Sequence, residues 1–286
     1  MSIEVDAEPA REPLSVAEQA RALELAQELG AQAGALLLEG FRTGAAIRHK
    51  GRIDLVTEFD LRSEALIREG IRAAFPSHRI VGEEGEAEGE GELVWYVDPL
   101  DGTTNFAHGH PFFCVSIALW EGGTPKVGLV AAPALGLRWC AQAGGGAFRA
   151  QTQGEGHPSS PCHVSAITTL EASLGATGFP YDKWANPDRN VREFEAFLTR
   201  TQGIRRCGSA ALDLALVADG TYDFYWEDRL SAWDLCAGAA LVLEAGGRLS
   251  GLEGEPADAR GGQLVASNGA LHEPVLAVLR GARAEG

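Results

Sequence analysis

Residues 93–106, LVWYVDPLDGTTNF, join an apolar run to a polar turn, and this change of pattern is the strongest indication of the fold. Residues 93–97 are apolar without interruption, which is typical of a strand covered on both faces. Proline fixes its own φ and lacks an N–H to donate, so Asp98-Pro99 predicts the end of the strand and a sharp turn. The sequence therefore predicts two carboxylates, Asp98 and Asp101, three positions apart just beyond a buried strand.

The segments on either side of this strand predict a mixed fold of helices and strands. Ser15 followed by Glu18 is a capping box that starts a helix running to about Phe41, and a second helix is predicted from Thr57 to Phe75. Further strands are predicted at residues 79–81, 114–120, 126–132, 137–141, 173–177, 222–226 and 263–267. Further helices are predicted at residues 189–201, 209–218, 232–244 and 271–279. Because several strands follow one another without helices, we expect an antiparallel or mixed sheet.

The 286 residues predict one large unit or two closely packed ones. Residues 1–14 carry four acidic groups and two prolines, and we expect a flexible tail there. A stretch rich in Gly, Pro and Ser near 150–165 predicts a boundary between an N-terminal half, 15–160, and a C-terminal half, 161–286.

Composition excludes several classes of function. The chain has 40 acidic and 24 Lys or Arg residues, a formal net charge of −16, which argues against direct nucleic-acid binding. It has neither an apolar run near the ~20 residues of a membrane span nor a secretory signal at its start. Its five cysteines form no C-x-x-C pair, which favours reduced thiols in the cytoplasm.

The turn after the buried strand favours phosphate and metal chemistry. Gly102 permits a close approach that a side chain would block, and a helix can begin at Thr103. Backbone N–H groups at a helix start bind phosphate oxygens, yet Asp98 and Asp101 would repel a phosphate unless a divalent cation lay between them. Hard carboxylate ligands suit Mg²⁺. An Asp-Pro turn followed by an Asp helix cap remains the structural alternative.

Three other carboxylates stand in comparable positions, each with a structural alternative. Glu83 follows the predicted strand at 79–81, or is a solvated loop residue. Asp234 and Asp60 lie in the first turns of predicted helices, where a carboxylate also complements the helix dipole. The residues alone leave these alternatives open.

Taken together, these segments resemble the inositol monophosphatase family. The resemblance runs from about Lys50 to Asn268 and rests on an ordered set of motifs. These are Asp54-Leu-Val-Thr57-x-x-Asp60, Glu83-Glu84, residues 98–106, Thr177-Gly-Phe-Pro-Tyr-Asp182, Gly208-Ser-Ala-Ala211, Trp233-Asp234-x-x-Ala237-Gly238 and Glu244-Ala-Gly-Gly247.

The resemblance implies roles for residues at matching positions. The implied metal ligands are Glu83, Asp98, Asp101, Asp234 and the backbone carbonyl of Leu100. Thr103, with Glu83 and Asp60, would position and help to deprotonate the attacking water, and Lys50 would add a positive charge nearby. The implied substrate-binding residues are Asp101, Gly102, Thr103, Gly208, Ala210, Glu227 and Asp234.

The resemblance also implies a fold, a reaction and a cofactor. The fold would be the five-layered αβαβα sandwich shared with fructose-1,6-bisphosphatase. The reaction would be hydrolysis of inositol monophosphate or a related polyol or sugar phosphate, with about two or three Mg²⁺ ions per site. The family further implies a lithium-sensitive homodimer. The cysteine pattern predicts a cytoplasmic protein, and the lack of an apolar span predicts no membrane partner.

Several alternatives share this resemblance or compete with it. Fructose-1,6-bisphosphatase, NADP phosphatase, histidinol phosphatase and phosphoadenosine-phosphate phosphatase activities fit the same fold, although Thr104 stands where the last group usually has Lys. A haloacid-dehalogenase-like enzyme would carry its two carboxylates two positions apart rather than three. A non-catalytic regulator that binds other proteins is the alternative from a different class.

Overall fold

The structure contains two main β-sheets, and the strand at residues 93–101 belongs to the larger one. The computed structural model describes residues 13–43, 47–49, 55–152, 159–181, 185–186 and 190–284. Its helices are α1 (Val16–Gly40), α2 (Glu58–Ala74), α3 (Thr103–Ala107), α4 (Val191–Leu198), α5 (Ala210–Ala218), α6 (Ala232–Glu244) and α7 (His272–Ala284). Its strands are β1 (Ile47–His49), β2 (Leu55–Thr57), β3 (Arg79–Gly82), β4 (Leu93–Asp101), β5 (Cys114–Glu121), β6 (Thr124–Ala132), β7 (Leu137–Gln142), β8 (Gly146–Gln151), β9 (Ser159–Pro161), β10 (Leu174–Thr177), β11 (Gly203–Arg205), β12 (Phe224–Glu227), β13 (Arg248–Ser250) and β14 (Leu264–Ser267).

The larger sheet has seven strands in the order β3-β4-β5-β6-β7-β8-β9. Only the β3–β4 pair is parallel, and the other pairs are antiparallel. The smaller sheet has five strands in the order β11-β10-β12-β14-β13 and is also mixed. The expected mixed topology is confirmed, and β1 with β2 forms a separate antiparallel pair.

Helices cover both faces of both sheets. Helices α1 and α2 pack on one face of the larger sheet through a core that includes Trp95 and Ile117. Helices α5 and α6 fill the space between the sheets, in a core rich in alanine. Helices α4 and α7 cover the outer face of the smaller sheet around Phe197 and Trp226. These five layers confirm the predicted αβαβα class.

Local sequence signals set the start of each long helix. Ser15 and Glu18 form the predicted capping box of α1, and Thr57 forms one with Asp60 at the start of α2. Of the predicted tail, only Pro13 and Leu14 lie within the described residues. Leu14 is buried, and its amide donates to the Glu121 carboxylate at 3.0 Å.

The predicted end of β4 was wrong, and α7 also runs five residues past its predicted end at residue 279. The strand at residue 93 does not end at Asp98 but continues to Asp101. Asp98 still pairs with Ser116 and Asp101 with Cys114, and the register shifts between them. The proline therefore produces a bulge within β4, a strand that pairs with both β3 and β5, rather than a stop, and a bulge is a known way for a strand to accommodate proline.

Candidate active site

Two parallel strand ends place the first two acidic groups side by side. Gly82 of β3 pairs with Val97 of β4, and the Glu83 amide donates to the Val97 carbonyl at 3.2 Å. Glu83 and Asp98 are therefore the next residues along two adjacent strands that run in the same direction. The pairing of β3 with β4 therefore fixes the position of Glu83. This argues against the interpretation of Glu83 as a solvated loop residue.

The bulge in β4 brings Asp98 and Asp101 to the same edge. The Asp98 carboxylate accepts the Leu100 amide at 2.9 Å, which closes a tight turn over Pro99. Ser63 of α2 donates to the Pro99 carbonyl at 3.1 Å and holds the bulge against that helix. The turn leaves both carboxylates buried at the carboxyl end of the strand.

Gly102 is required at the start of α3. Its φ of 93° is in the left-handed region, and an added Cβ would lie 3.0 Å from the Phe112 carbonyl oxygen. Thr103 then begins the helix with its hydroxyl 3.2 Å from Asp60 Oδ1 and 3.1 Å from the Leu100 carbonyl oxygen. Asp60 itself accepts the Thr57 amide at 2.8 Å, so its role as a helix cap and its contact with Thr103 coexist.

The C-terminal half of the chain anchors Asp101 and supplies Asp234. Asp101 Oδ2 accepts the Ser209 hydroxyl at 2.7 Å and the Ala211 amide at 2.8 Å, both at the start of α5. Asp234 Oδ2 accepts the Ser231 amide at 2.7 Å in a capping box of α6. Each contact occupies one carboxylate oxygen, and a carboxylate offers a second oxygen with its own lone pairs.

One cavity of about 230 Å³ unites most of the predicted site. The predicted residues that line it are Glu83, Asp98, Leu100, Asp101, Gly102, Thr103 and Asp234. A recess of about 50 Å³ adjoins it and shares Asp101, Asp234 and Tyr181 with it. The predicted residues that line the recess are Asp101, Gly208, Ala210, Glu227 and Asp234.

One predicted residue that the structure describes, Asp60, lines neither space. Asp60 lies behind Thr103 and reaches the cavity only through that hydroxyl. Lys50 lies outside the described residues, so its predicted role stays a prediction.

Burial and mutual repulsion dominate the electrostatics. Burial, then the neighbouring Glu83 and Asp101 carboxylates, raise the pKa of Asp98 well above its usual value. The pKa of Asp101 rises to about 6 through burial, and burial likewise raises the pKa of Asp234, whose carboxyl group lies within hydrogen-bonding reach of Asp98. Carboxylates this close cannot all ionise without a compensating positive charge.

The donor set fits a divalent metal ion. Within the described part of the chain, no three His, Cys, Asp or Glu side chains already close on one point as metal ligands do. The hydrogen bonds to Ser209, Ala211 and Ser231 explain this, because they hold the Asp101 and Asp234 carboxylates toward α5 and α6. The oxygens at the cavity are hard ligands of the kind that Mg²⁺ or Ca²⁺ prefers, and a dication would relieve their repulsion.

Sequence reasoning missed several residues of this site. Tyr181 lines both the cavity and the recess. Arg229 lines the cavity, and its backbone φ of 59° is rare for a residue other than glycine. Arg206 and Asp213 line the recess. Tyr181 lies in the quoted motif 177–182 and could have been chosen, whereas the other three carry no local signal.

Comparison with known proteins places the chain in a family. The model of the inositol monophosphatase family matches residues 18–284. An inositol-1-monophosphatase from Synechocystis is 41% identical, over 90% of this chain and 88% of its own length. The structure of inositol monophosphatase from Anabaena is 39% identical, with a TM-score of 0.79 over 92% of this chain and 96% of that one. A Nus factor SuhB from Pseudomonas aeruginosa is 40% identical, over 82% of this chain and 86% of its own length.

The chain therefore belongs to the inositol monophosphatase family, as the motifs predicted. It is a phosphoric monoester hydrolase of a family that is in general metal-dependent. None of the described helices is both long enough and apolar enough to cross a bilayer.

Proposed function

We propose that this protein hydrolyses inositol monophosphate, or a closely related polyol phosphate, with Mg²⁺ as its cofactor. The observation that carries the proposal is the single cavity in which Glu83, Asp98, Asp101 and Asp234 meet the start of α3. The four carboxylates would hold the metal ions, together with the Leu100 carbonyl. When bound, such ions activate water and stabilise the leaving oxygen.

The residues of the chain would orient the reaction around that cavity. The first N–H groups of a helix have no partner inside it, so the Gly102 and Thr103 amides can donate to the phosphate. The Thr103 hydroxyl can pass a proton from the attacking water toward Asp60. In-line attack then depends mainly on position.

The recess would receive a hydroxyl group of the alcohol portion of the substrate. Glu227 is buried there and accepts the Tyr225 hydroxyl at 2.7 Å, which fixes the carboxyl group in place. Gly178 is necessary beside it, because an added Cβ would overlap the Glu227 carboxylate. Gly208 and Ala210 form the small-residue wall that leaves space for the alcohol.

A phosphate-release screen tests the proposal. The substrates are inositol monophosphates, fructose 1,6-bisphosphate, phosphoadenosine phosphate, NADP and histidinol phosphate, each with and without Mg²⁺. We expect the highest kcat/KM with an inositol monophosphate and no release without a divalent ion. A preference for any other ester would overturn the substrate assignment, and undiminished release in the chelator EDTA would overturn the cofactor.

The family supports three finer proposals. We infer a cytoplasmic homodimer, which light scattering on the purified protein tests. We also infer inhibition by lithium, which a titration of the phosphatase assay tests. Full activity at a lithium concentration far above those that inhibit other members of the family would contradict the inference of lithium inhibition.

A protein-binding role is a second candidate, favoured by the similarity to a Nus factor SuhB. Replacing the chromosomal gene by an Asp98→Asn version separates the two functions, since the variant lacks a proposed metal ligand but keeps its surface. If the replacement strain loses both hydrolysis and its normal phenotype, catalysis is the primary function. A normal phenotype without hydrolysis would favour binding.

A further inference from the structure

Asp213 lines the recess and has no role in the reaction described above. It belongs to α5, is 1% exposed, and lines the recess together with Glu227 and Arg206. Its Oδ1 atom is buried and has no hydrogen-bond partner within the described residues.

An unpartnered buried carboxylate oxygen is costly, because it loses its contact with water and gains nothing in return. Asp223, which is buried to a similar degree, shows the usual solution. It accepts the Ser165 hydroxyl and the Leu174 amide. The absence of comparable donors around Asp213, in the part of the chain that the structure describes, indicates that a ligand supplies the missing donor.

The size and charge of the recess restrict that ligand. A volume of about 50 Å³ corresponds to one or two water molecules, each of which occupies roughly 30 Å³ in the liquid. A hydroxyl group fits this space and a phosphate does not. Among the described residues, Arg206 is the one Lys or Arg side chain that lines the recess, and it lies there together with Asp213 and Glu227, so the recess offers little net positive charge to a second anion.

We propose that Asp213 is a further substrate-binding residue, which accepts a hydrogen bond from one hydroxyl group of the alcohol that carries the phosphate. The recess would thereby favour a neutral polyol over a substrate with a second phosphate. This inference rests on the proposed phosphatase function and adds a specific contact to it. Burial raises the pKa of Asp213, and a hydroxyl partner suits either protonation state because it can both donate and accept.

Removing the Asp213 carboxylate and removing the substrate hydroxyl that it binds should lower kcat/KM by the same factor. The experiment measures kcat/KM of the wild type, Asp213→Ala and Asp213→Asn on inositol 1-phosphate and on analogues that each lack one hydroxyl. We expect Asp213→Ala to lose about 10-fold on the full substrate if the carboxyl group is protonated and up to about 100-fold if it is ionised, because a hydrogen bond to a charged group is the stronger one. Asp213→Asn should lose less, because its carbonyl oxygen still accepts.

The proposal is decided by whether the effect of Asp213→Ala on kcat/KM depends on the presence of the substrate hydroxyl. For one deoxy analogue the wild type should lose activity by the same factor, and Asp213→Ala should lose nothing further. On p-nitrophenyl phosphate, which has no additional hydroxyl, all three proteins should agree within about 2-fold. Asp223→Asn is the matched control for loss of a buried carboxylate, and it should lower the melting temperature without changing the ranking of the analogues.

Two results would overturn the inference. One is a parallel loss on p-nitrophenyl phosphate and inositol 1-phosphate in both Asp213 variants, and the other is the absence of coupling with every analogue. Failure of the proposed function looks different, because the wild type would then hydrolyse none of these esters. Calorimetric binding of inositol 1-phosphate would in that case decide the contact, and equal affinity of the wild type and Asp213→Ala would refute it.

Discussion

Thr103 shows how one side chain joins the metal cavity to the helix behind it. Its single hydroxyl proton lies between Asp60 Oδ1 and the Leu100 carbonyl oxygen. Replacing Thr103 by Val keeps the shape and removes the proton relay. Since general-base assistance contributes about 10²–10⁴-fold to a rate, we expect kcat to fall by about 100-fold or more while KM changes little. Steady-state phosphate release measures both constants.

Thr103→Ser is the matched control, because it keeps the hydroxyl and should keep most of the activity. Asp60 stays bonded to Thr57 in both variants, so the α2 cap and the melting temperature should be nearly preserved. A Thr103→Val enzyme with normal kcat would remove this hydroxyl from the mechanism.

Site residues that are bonded to near neighbours in the sequence could be predicted, and residues that are bonded to distant parts of the chain could not. Asp60 and Asp234 could be recognised because each is bonded to a residue three positions away in a capping box. The anchors of Asp101 lie 108 and 110 residues away, and only the folded chain reveals them. Asp213 Oδ1 has no hydrogen-bond partner among the residues that the structure describes, so no capping pattern in the sequence indicates this side chain.

Every predicted helix and strand lies within about five residues of an observed one, but the six-residue strand β8 and several three-residue strands were not predicted. Helix α6 was predicted with its observed bounds, because an apolar helix ends at a glycine pair. Strands β11 and β13 were missed, since three residues are too few to show alternation. The extension of β4 past Pro99 depends on pairing with β5, which overrides the local tendency to turn.

A buried histidine lies where α7 meets the smaller sheet, and its burial makes the stability of the fold depend on pH. His272 begins α7, and its ring nitrogens lie 2.8 Å from the Ser267 hydroxyl and 2.9 Å from the Ser250 hydroxyl. Burial lowers the pKa of His272 to about 4. Folding therefore favours the neutral ring, so its stabilisation is fully present above about pH 6.5 and is lost as the pH falls toward 4.

Urea unfolding of the wild type and of His272→Gln between pH 7.5 and 4.5 checks this expectation. Each pKa unit is worth about 1.4 kcal/mol, so the free energy of unfolding of the wild type should fall relative to the variant by up to about 3 kcal/mol. Comparing the two proteins removes the contribution of the other titrating groups. Equal pH dependence would show that His272 does not titrate in this window.

At the scale of the whole molecule, the acidic cavity lies where both halves of the chain meet. Glu83, Asp98 and Asp101 come from the larger sheet, and Asp234 comes from the helical layer between the sheets. A raised pKa means that the folded protein keeps protons which the unfolded chain releases near pH 4. Without a cation, Asp98, Asp101 and Asp234 therefore stabilise the fold at low pH, and their contribution is lost as the pH rises through their folded pKa values, about 6 for Asp101.

A metal ion that replaces those protons should stabilise the fold most where the protons are absent. We expect Mg²⁺ to raise the melting temperature more at pH 8 than at pH 5, because protons and cations compete for the same carboxylates. At 100 times the Kd the gain is about 2.7 kcal/mol, or roughly 5–10 °C. Calorimetry of the chelated protein with and without added Mg²⁺ measures the gain at each pH.

Two variants locate the effect within the molecule. Asp98→Asn removes a cavity carboxylate, so its chelated form should be less destabilised at pH 8 and should gain little from Mg²⁺. Asp223→Asn removes a buried carboxylate away from the cavity and should keep the full gain. Because the chain carries a formal net charge of −16, nonspecific cation binding is the competing cause. A gain that is equal at both pH values, or that survives in Asp98→Asn, would mean that the cations act on the general acidic surface rather than in the cavity.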